Sequence, residues 1–107
     1  MNAPVPELDP VIHPAARLKV TASLAALPAG DRISFPRLQS VLEMTAGNLS
    51  SHLRKLEDAG YVTVHKTLNG RTPATYIALS REGRLALENY TVALQRLLDP
   101  TTHSAGD

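Results

Sequence analysis

Residues 45–61, TAGNLSSHLRKLEDAGY, constrain this chain more than any other stretch. Leu49, Leu53 and Leu56 recur at i, i+4 and i+7, so they share one stripe of a helix and anchor it to a core. On a helical wheel Gly47, Asn48, Ser51, Arg54, Lys55 and Asp58 point the other way. Small, amide, hydroxyl and basic groups on an outward face suit the major groove of DNA. Thr45 is a good N-cap, because its hydroxyl can accept from an orphan amide of the first turn. Gly60 is a good left-handed C′ residue, after which Tyr61 can pack back on Leu56. Chemistry as well as pattern delimits this helix.

A chain of 107 residues holds one domain with one core. Aromatic residues are only 4%, so the core must come from Leu, Val, Ile and Ala, which favours helices. The net charge of +1 does not by itself point to nucleic acid. The distribution says more. Between residues 45 and 76, Arg54, Lys55, Lys66 and Arg71 face only Glu57 and Asp58, and local excess is what binds phosphates. The absence of cysteine excludes disulfides and thiolate metal sites, and leaves a reducing cytoplasm as the expected compartment. Residues 1–10 do not read as a signal peptide, and no apolar run reaches the roughly 18–20 residues that span a bilayer.

The three prolines and two acids of residues 1–10 predict a flexible tail, with a domain over 11–99 and a second flexible tail over 100–107. A first helix is expected from about Pro14 to Leu27, ended by Pro28-Ala29-Gly30-Asp31. Ile33 is a candidate for a very short strand. Ser34 then caps a second helix in which Leu38, Val41 and Leu42 face inward, and Glu43-Met44 turn the chain into Thr45. Two short helices joined this way form a helix-turn-helix.

After Gly60 the period changes to two: residues 62–66 and 75–79 read as paired strands. Asn69-Gly70 marks a tight turn, while Pro73, without a ladder donor, predicts a longer, partly unpaired tip. Ser80 caps a last helix that stops at Asp99-Pro100. Its apolar residues form a wide arc (Ala86, Leu87, Tyr90, Ala93, Leu94, Leu97, Leu98) and a second group, Leu85 and Val92. One helix beside a small domain cannot bury both groups against its own chain, which suggests a partner subunit.

The order of elements is that of winged-helix regulators. In IHPAARL, TAGNLSSHLRKLEDAGYV, KTLNGRTPATYIALSREGR and the aliphatic last helix, residues 12–98 resemble the compact winged-helix family related to the MarR and ArsR repressors. The resemblance implies a mainly α winged helix-turn-helix with a small β-hairpin, whose N- and C-terminal helices form a homodimer interface. It also implies a DNA-binding transcriptional regulator. The lack of any Cys pair means that a thiolate metal switch is not implied.

The candidate DNA-binding residues are Thr45, Gly47, Asn48, Ser50, Ser51, His52, Arg54 and Lys55 on the helix, with His65, Lys66, Asn69, Gly70, Arg71 and Thr72 on the wing. Arg can be bidentate to guanine and Asn to adenine; Lys55 suits a phosphate, and Arg71 a minor groove. The bland alternative is a solvated helix and a charged hairpin. His52 can pack at the edge of the groove face or touch DNA. Gly47 fits either close backbone approach to DNA or a tight turn between helices. Dimerisation falls to Leu18, Leu87, Tyr90, Leu94, Leu97 and Leu98. The four histidines show no ligand spacing and no catalytic constellation stands out, so neither metal, cofactor nor enzymatic activity is expected. The expected partners are double-stranded DNA and a second copy, with no membrane. The expected function is a sequence-specific regulator, in the sense of a repressor, on a near-palindromic operator. Two alternatives stand beside it: a winged helix that binds protein instead of DNA, and a regulator switched by a small-molecule effector at the dimer interface.

Overall fold

Capping chemistry divides the chain into seven elements. In the computed structural model, which describes residues 5–99 and 101, they are α1 (Ala15–Ala25), β1 (Ile33–Ser34), α2 (Phe35–Leu42), α3 (Ala46–Asp58), β2 (Val62–Asn69), β3 (Thr72–Leu79) and α4 (Arg81–Leu98). Ser34, Thr45 and Ser80 each cap the following helix by accepting from the amide three residues on. At the end of α3, Gly60 is left-handed (φ 81°); Tyr61 N donates to Leu56 O (2.9 Å) and Gly60 N to Glu57 O (2.9 Å). That pair of bonds is the Schellman ending expected from the sequence. α1 ends two residues earlier than expected. Between α2 and α3 the turn is made by Glu43 in the left-handed region (φ 54°).

The leucine stripe of α3 is fully internal. Leu49, Leu53 and Leu56 join Val20 and Leu24 of α1, Leu38 of α2, and Val62 and Ile77 of the sheet in one buried cluster. Each such side chain contributes roughly 1.5–3 kcal/mol by leaving water, so the stripe fixes the rotation of α3 about its axis. Everything opposite the stripe is thereby turned outward.

The sheet is antiparallel in the order β1-β3-β2. β1 is more than an isolated short strand, since Ile33 pairs with Ile77 and Ser34 with Tyr76. The wing corrects one expectation. Asn69 pairs directly with Thr72, so the loop is two residues, Gly70-Arg71, and not a longer, partly unpaired tip. Gly70 has φ 65° and Arg71 no positive φ, the pattern of a turn with glycine first. Pro73 costs the ladder nothing. A two-residue loop makes its flanking pair the hydrogen-bonded one, so Leu68 and Pro73 form the next, non-bonded pair. The proline nitrogen then points away from β2, to an edge that the short β1 does not reach.

Two fastenings hold the ends of the domain. Asp9, inside the stretch expected to be a tail, accepts from Val11 N (2.8 Å) through Oδ1 and from the Tyr61 hydroxyl (2.6 Å) through Oδ2. The adjoining Ile12 is buried. Residues 1–4 of that tail, and 100 and 102–107 of the other, lie outside the described residues. At the other fastening, Ser80 Oγ donates to Gly60 O (2.6 Å) and Ser80 N to Tyr61 O (3.0 Å), tying the start of α4 to the end of α3.

Donation to the Asp9 carboxylate, then burial and the carboxylate's charge, push the Tyr61 phenol up to about 12. The folded value lies above the ordinary value of 10.0, so ionisation opposes folding. The stabilisation is complete below pH 10.0 and is lost as pH rises through about 12. In an alkaline titration followed by tyrosinate absorbance, one of the three tyrosines should ionise last, and Tyr61→Phe should remove that step. An unchanged titration would place the high-pH step on another tyrosine.

Candidate nucleic-acid interface

With the leucine stripe indoors, Thr45, Gly47, Asn48, Ser50, Ser51, Arg54 and Lys55 are all exposed on α3. His65, Lys66, Asn69, Gly70, Arg71 and Thr72 are exposed on the wing. The structure does not bring all of them to one place. A groove of about 520 Å³ runs between α3 and the wing, with Ser50, Leu53, Arg54 and Glu57 on one wall, Val64, Lys66 and Thr75 on the other, and Phe35 beside them. Side chains alternate along a strand, so Lys66 and Thr75 face this groove while His65, Asn69 and Thr72 lie on the opposite face of the hairpin. Arg54 and Lys66 thus oppose each other across a channel containing one acid, Glu57. Two cations on facing walls suit a phosphodiester strand passing between helix and wing.

Individual residues sharpen or correct the expectations. The Thr45 hydroxyl is occupied by its cap, accepting from Asn48 N at 3.1 Å, which leaves the Asn48 amide side chain outward. His52 is half-buried and its Nδ1 is enclosed without a hydrogen-bond partner, so of its two readings packing at the edge is favoured. Gly47 has no positive φ, and a Cβ added there would meet nothing within 4 Å. A steric requirement of the helix-helix turn therefore does not explain it. Gly47→Ala should stabilise the fold by up to about 1 kcal/mol through helix propensity while weakening DNA binding. Paired melting and binding measurements test this; unchanged binding would take Gly47 out of the interface.

Sequence reasoning missed two residues near the wing. The Arg32 guanidinium lies 4.5 Å from the centre of the Tyr76 ring, and Asn69 Nδ2 donates to the Tyr76 hydroxyl (3.2 Å). Nothing local marks Arg32, because the stack depends on β1 pairing with β3.

On α4, only Gly83 and Tyr90 are buried. Tyr90, named for dimerisation, is 5% exposed in the single chain and its hydroxyl lies 3.1 Å from His13 Nδ1. Leu18, Leu87, Leu94 and Leu97 are half-buried, and Leu98 is 71% exposed. Leu85 and Val92 are also exposed, as the two-group pattern on this helix required. A second hollow of about 490 Å³ lies between residues 7–11, Tyr61 and the Ala86–Tyr90 side of α4. Among the described residues no helix is long and apolar enough to cross a membrane.

A helix-turn-helix whose second helix is exposed beside a basic β-hairpin is a winged helix. The chain matches the winged helix DNA-binding domain family over residues 16–98 and belongs to that family. It is 32% identical over 87 residues to the uncharacterized protein MJ0432 of Methanocaldococcus jannaschii, covering 81% of this chain and 91% of that one. Among solved structures it is similar to a transcriptional regulator homologue from Pyrococcus horikoshii OT3, with TM-score 0.75 and 27% identity over 85% of this chain and 87% of the other. The transcriptional repressor CouR, bound to a 23-mer DNA duplex, shares the fold at TM-score 0.68 and 21% identity, over 88% of this chain and 60% of CouR. These likenesses agree with the family match in giving the chain a winged-helix fold.

Proposed function

We propose that this protein is a homodimeric, sequence-specific DNA-binding regulator, acting as a repressor on a near-palindromic operator. α3 enters the major groove, and the wing contacts the minor groove or the backbone beside it. The observation that carries this is the channel between α3 and the wing, with Arg54 and Lys66 facing each other beside an exposed Gly47, Asn48 and Ser51 surface. Membership of a DNA-binding family and the fold shared with DNA-bound CouR support it. Dimerisation is supported by apolar surface left open on α4, where Leu85, Val92 and Leu98 are 57%, 47% and 71% exposed. A two-fold dimer would set its recognition helices about 34–36 Å apart or at a multiple of that spacing.

The test is selection of duplexes from a random library, followed by mobility shifts across a salt series. The expected result is a selected inverted repeat whose affinity falls steeply with salt, by about 0.9 log units per log unit of salt for each phosphate neutralised. A chain that retards no duplex at low salt is instead the protein-binding module. Light scattering should give twice the chain mass at micromolar concentration; a monomer would remove the inverted repeat.

A further inference from the structure

Resting on the DNA-binding function proposed above, we infer that Arg32 and Tyr76 are positioning residues that brace the outer face of the wing and aim Arg71. The brace has three members in line. Arg32, just before β1, stacks on Tyr76 of β3 at 4.5 Å from the ring centre. The Tyr76 hydroxyl accepts from Asn69 Nδ2 at 3.2 Å. Asn69 is the last residue of β2 and directly precedes the Gly70-Arg71 loop. β1 pairs with β3 only through Ile33 and Ser34, opposite Ile77 and Tyr76, so the outer half of the hairpin projects without a third strand. A two-stranded ribbon alone is marginal in water and free to twist. The long Tyr76 side chain spans that unsupported part, from the three-stranded base to the residue at the tip.

Arg32 differs from the basic residues of the groove in its surroundings. Its planar cation is held on an aromatic face, which fixes the ring as much as the ring fixes the cation. Tyr76 and His65 are directly paired across the ladder and share the outer face, whereas Arg54 and Lys66 line the inner channel. The outer face thus carries the support, and the inner face and tip carry the contacts. Arg71 itself is exposed at the second position of a two-residue loop, so its direction follows the twist of the ribbon.

The experiment measures binding of the full chain to a duplex recovered by the selection above. The variants are Arg32→Ala, Arg32→Lys, Tyr76→Phe and Arg71→Ala, with each of the first three also combined with Arg71→Ala. Arg32→Ala should weaken binding roughly two- to fivefold, the worth of an exposed cation–π contact, with Arg32→Lys between it and wild type, and Tyr76→Phe should weaken it by a similar factor through loss of the hydrogen bond from Asn69. Those losses should disappear in the Arg71→Ala background, because a brace has nothing to aim once its target is gone. Tyr76→Phe keeps the ring and the stack, so its loss is not a folding defect. Single variants that bind like wild type, or losses that simply add to that of Arg71→Ala, overturn the inference while leaving DNA binding intact. Failure of the wild-type chain to bind any selected duplex overturns the proposed function first, and the brace with it.

Discussion

Gly83→Ala is expected to lower the melting temperature by roughly 10–20 °C, equivalent to about 3 kcal/mol in a domain of this size. Gly83 lies in the first turn of α4, where alanine would ordinarily gain up to about 1 kcal/mol of helix propensity. Here the gain is overwhelmed. A Cβ at this position would overlap the carbonyl oxygen of Tyr61, with the Tyr61 carbonyl carbon at 2.8 Å and Leu79 Cδ1 at 2.9 Å. The leucine methyl can turn aside. The carbonyl cannot, because it is backbone that closes the end of α3 and accepts from Ser80 N. Relief requires moving the start of α4 away from the end of α3, breaking the Ser80 bonds to Gly60 and Tyr61. The same substitution at Gly47, in open space, is expected to act in the opposite direction, so glycine-to-alanine chemistry as such is controlled for. Thermal unfolding followed by far-UV circular dichroism gives the answer; a Gly83→Ala chain melting at or above wild type would show that α4 is not pinned where the geometry places it. The variant should also lose operator binding, since this contact sets the helix expected to dimerise against the helix expected to read DNA.

Residues 45–61 were legible because every determinant there is local. The leucine spacing, the Thr45 cap and the Gly60 ending each act within a few residues, and each is found as expected. The same holds for the Ser34 and Ser80 caps. What escaped depends on contacts distant in the chain. Gly83 reads as an unremarkable helical glycine until the Tyr61 carbonyl lies against it. Asp9 sits among prolines and acids, and only the Tyr61 hydroxyl, 52 positions away, shows that it is fastened. The form of the wing tip depends on ladder register. Pro73 lacks a donor, but the ladder alternates, and the loop length puts that position where no donor is used. Arg32 combines both difficulties, since its stack needs the pairing of β1 with a strand that follows two helices later. For the candidate interface, the exposed residues of α3 were identifiable from periodicity alone. Which wing residues share its groove followed only from the register.

The second large effect concerns recognition, and it separates two neighbouring cations, Arg54 and Lys55. Arg54→Ala should weaken binding to a selected duplex by about 1–3 kcal/mol, roughly 5–150-fold, and should relax the preferred sequence at one position of each half-site. Lys55→Ala should weaken binding by a similar factor on every sequence and flatten the salt dependence by about one phosphate. The distinction rests on geometry and chemistry together. Arg54 stands three residues, nearly one helical turn, beyond Ser51 on the exposed face and lines the channel toward the wing. Its guanidinium is a rigid fork that can pair with O6 and N7 of guanine. Lys55 is exposed on the last turns of α3 and is absent from the channel lining, and its ammonium is a point charge without directional preference. Arg54→Lys discriminates further: it keeps the charge facing Lys66 but not the fork, so it should restore the salt slope and not the sequence preference. If Arg54→Lys restores both, Arg54 holds a phosphate in the channel, and base reading passes to Asn48 and Ser51 earlier on the same face.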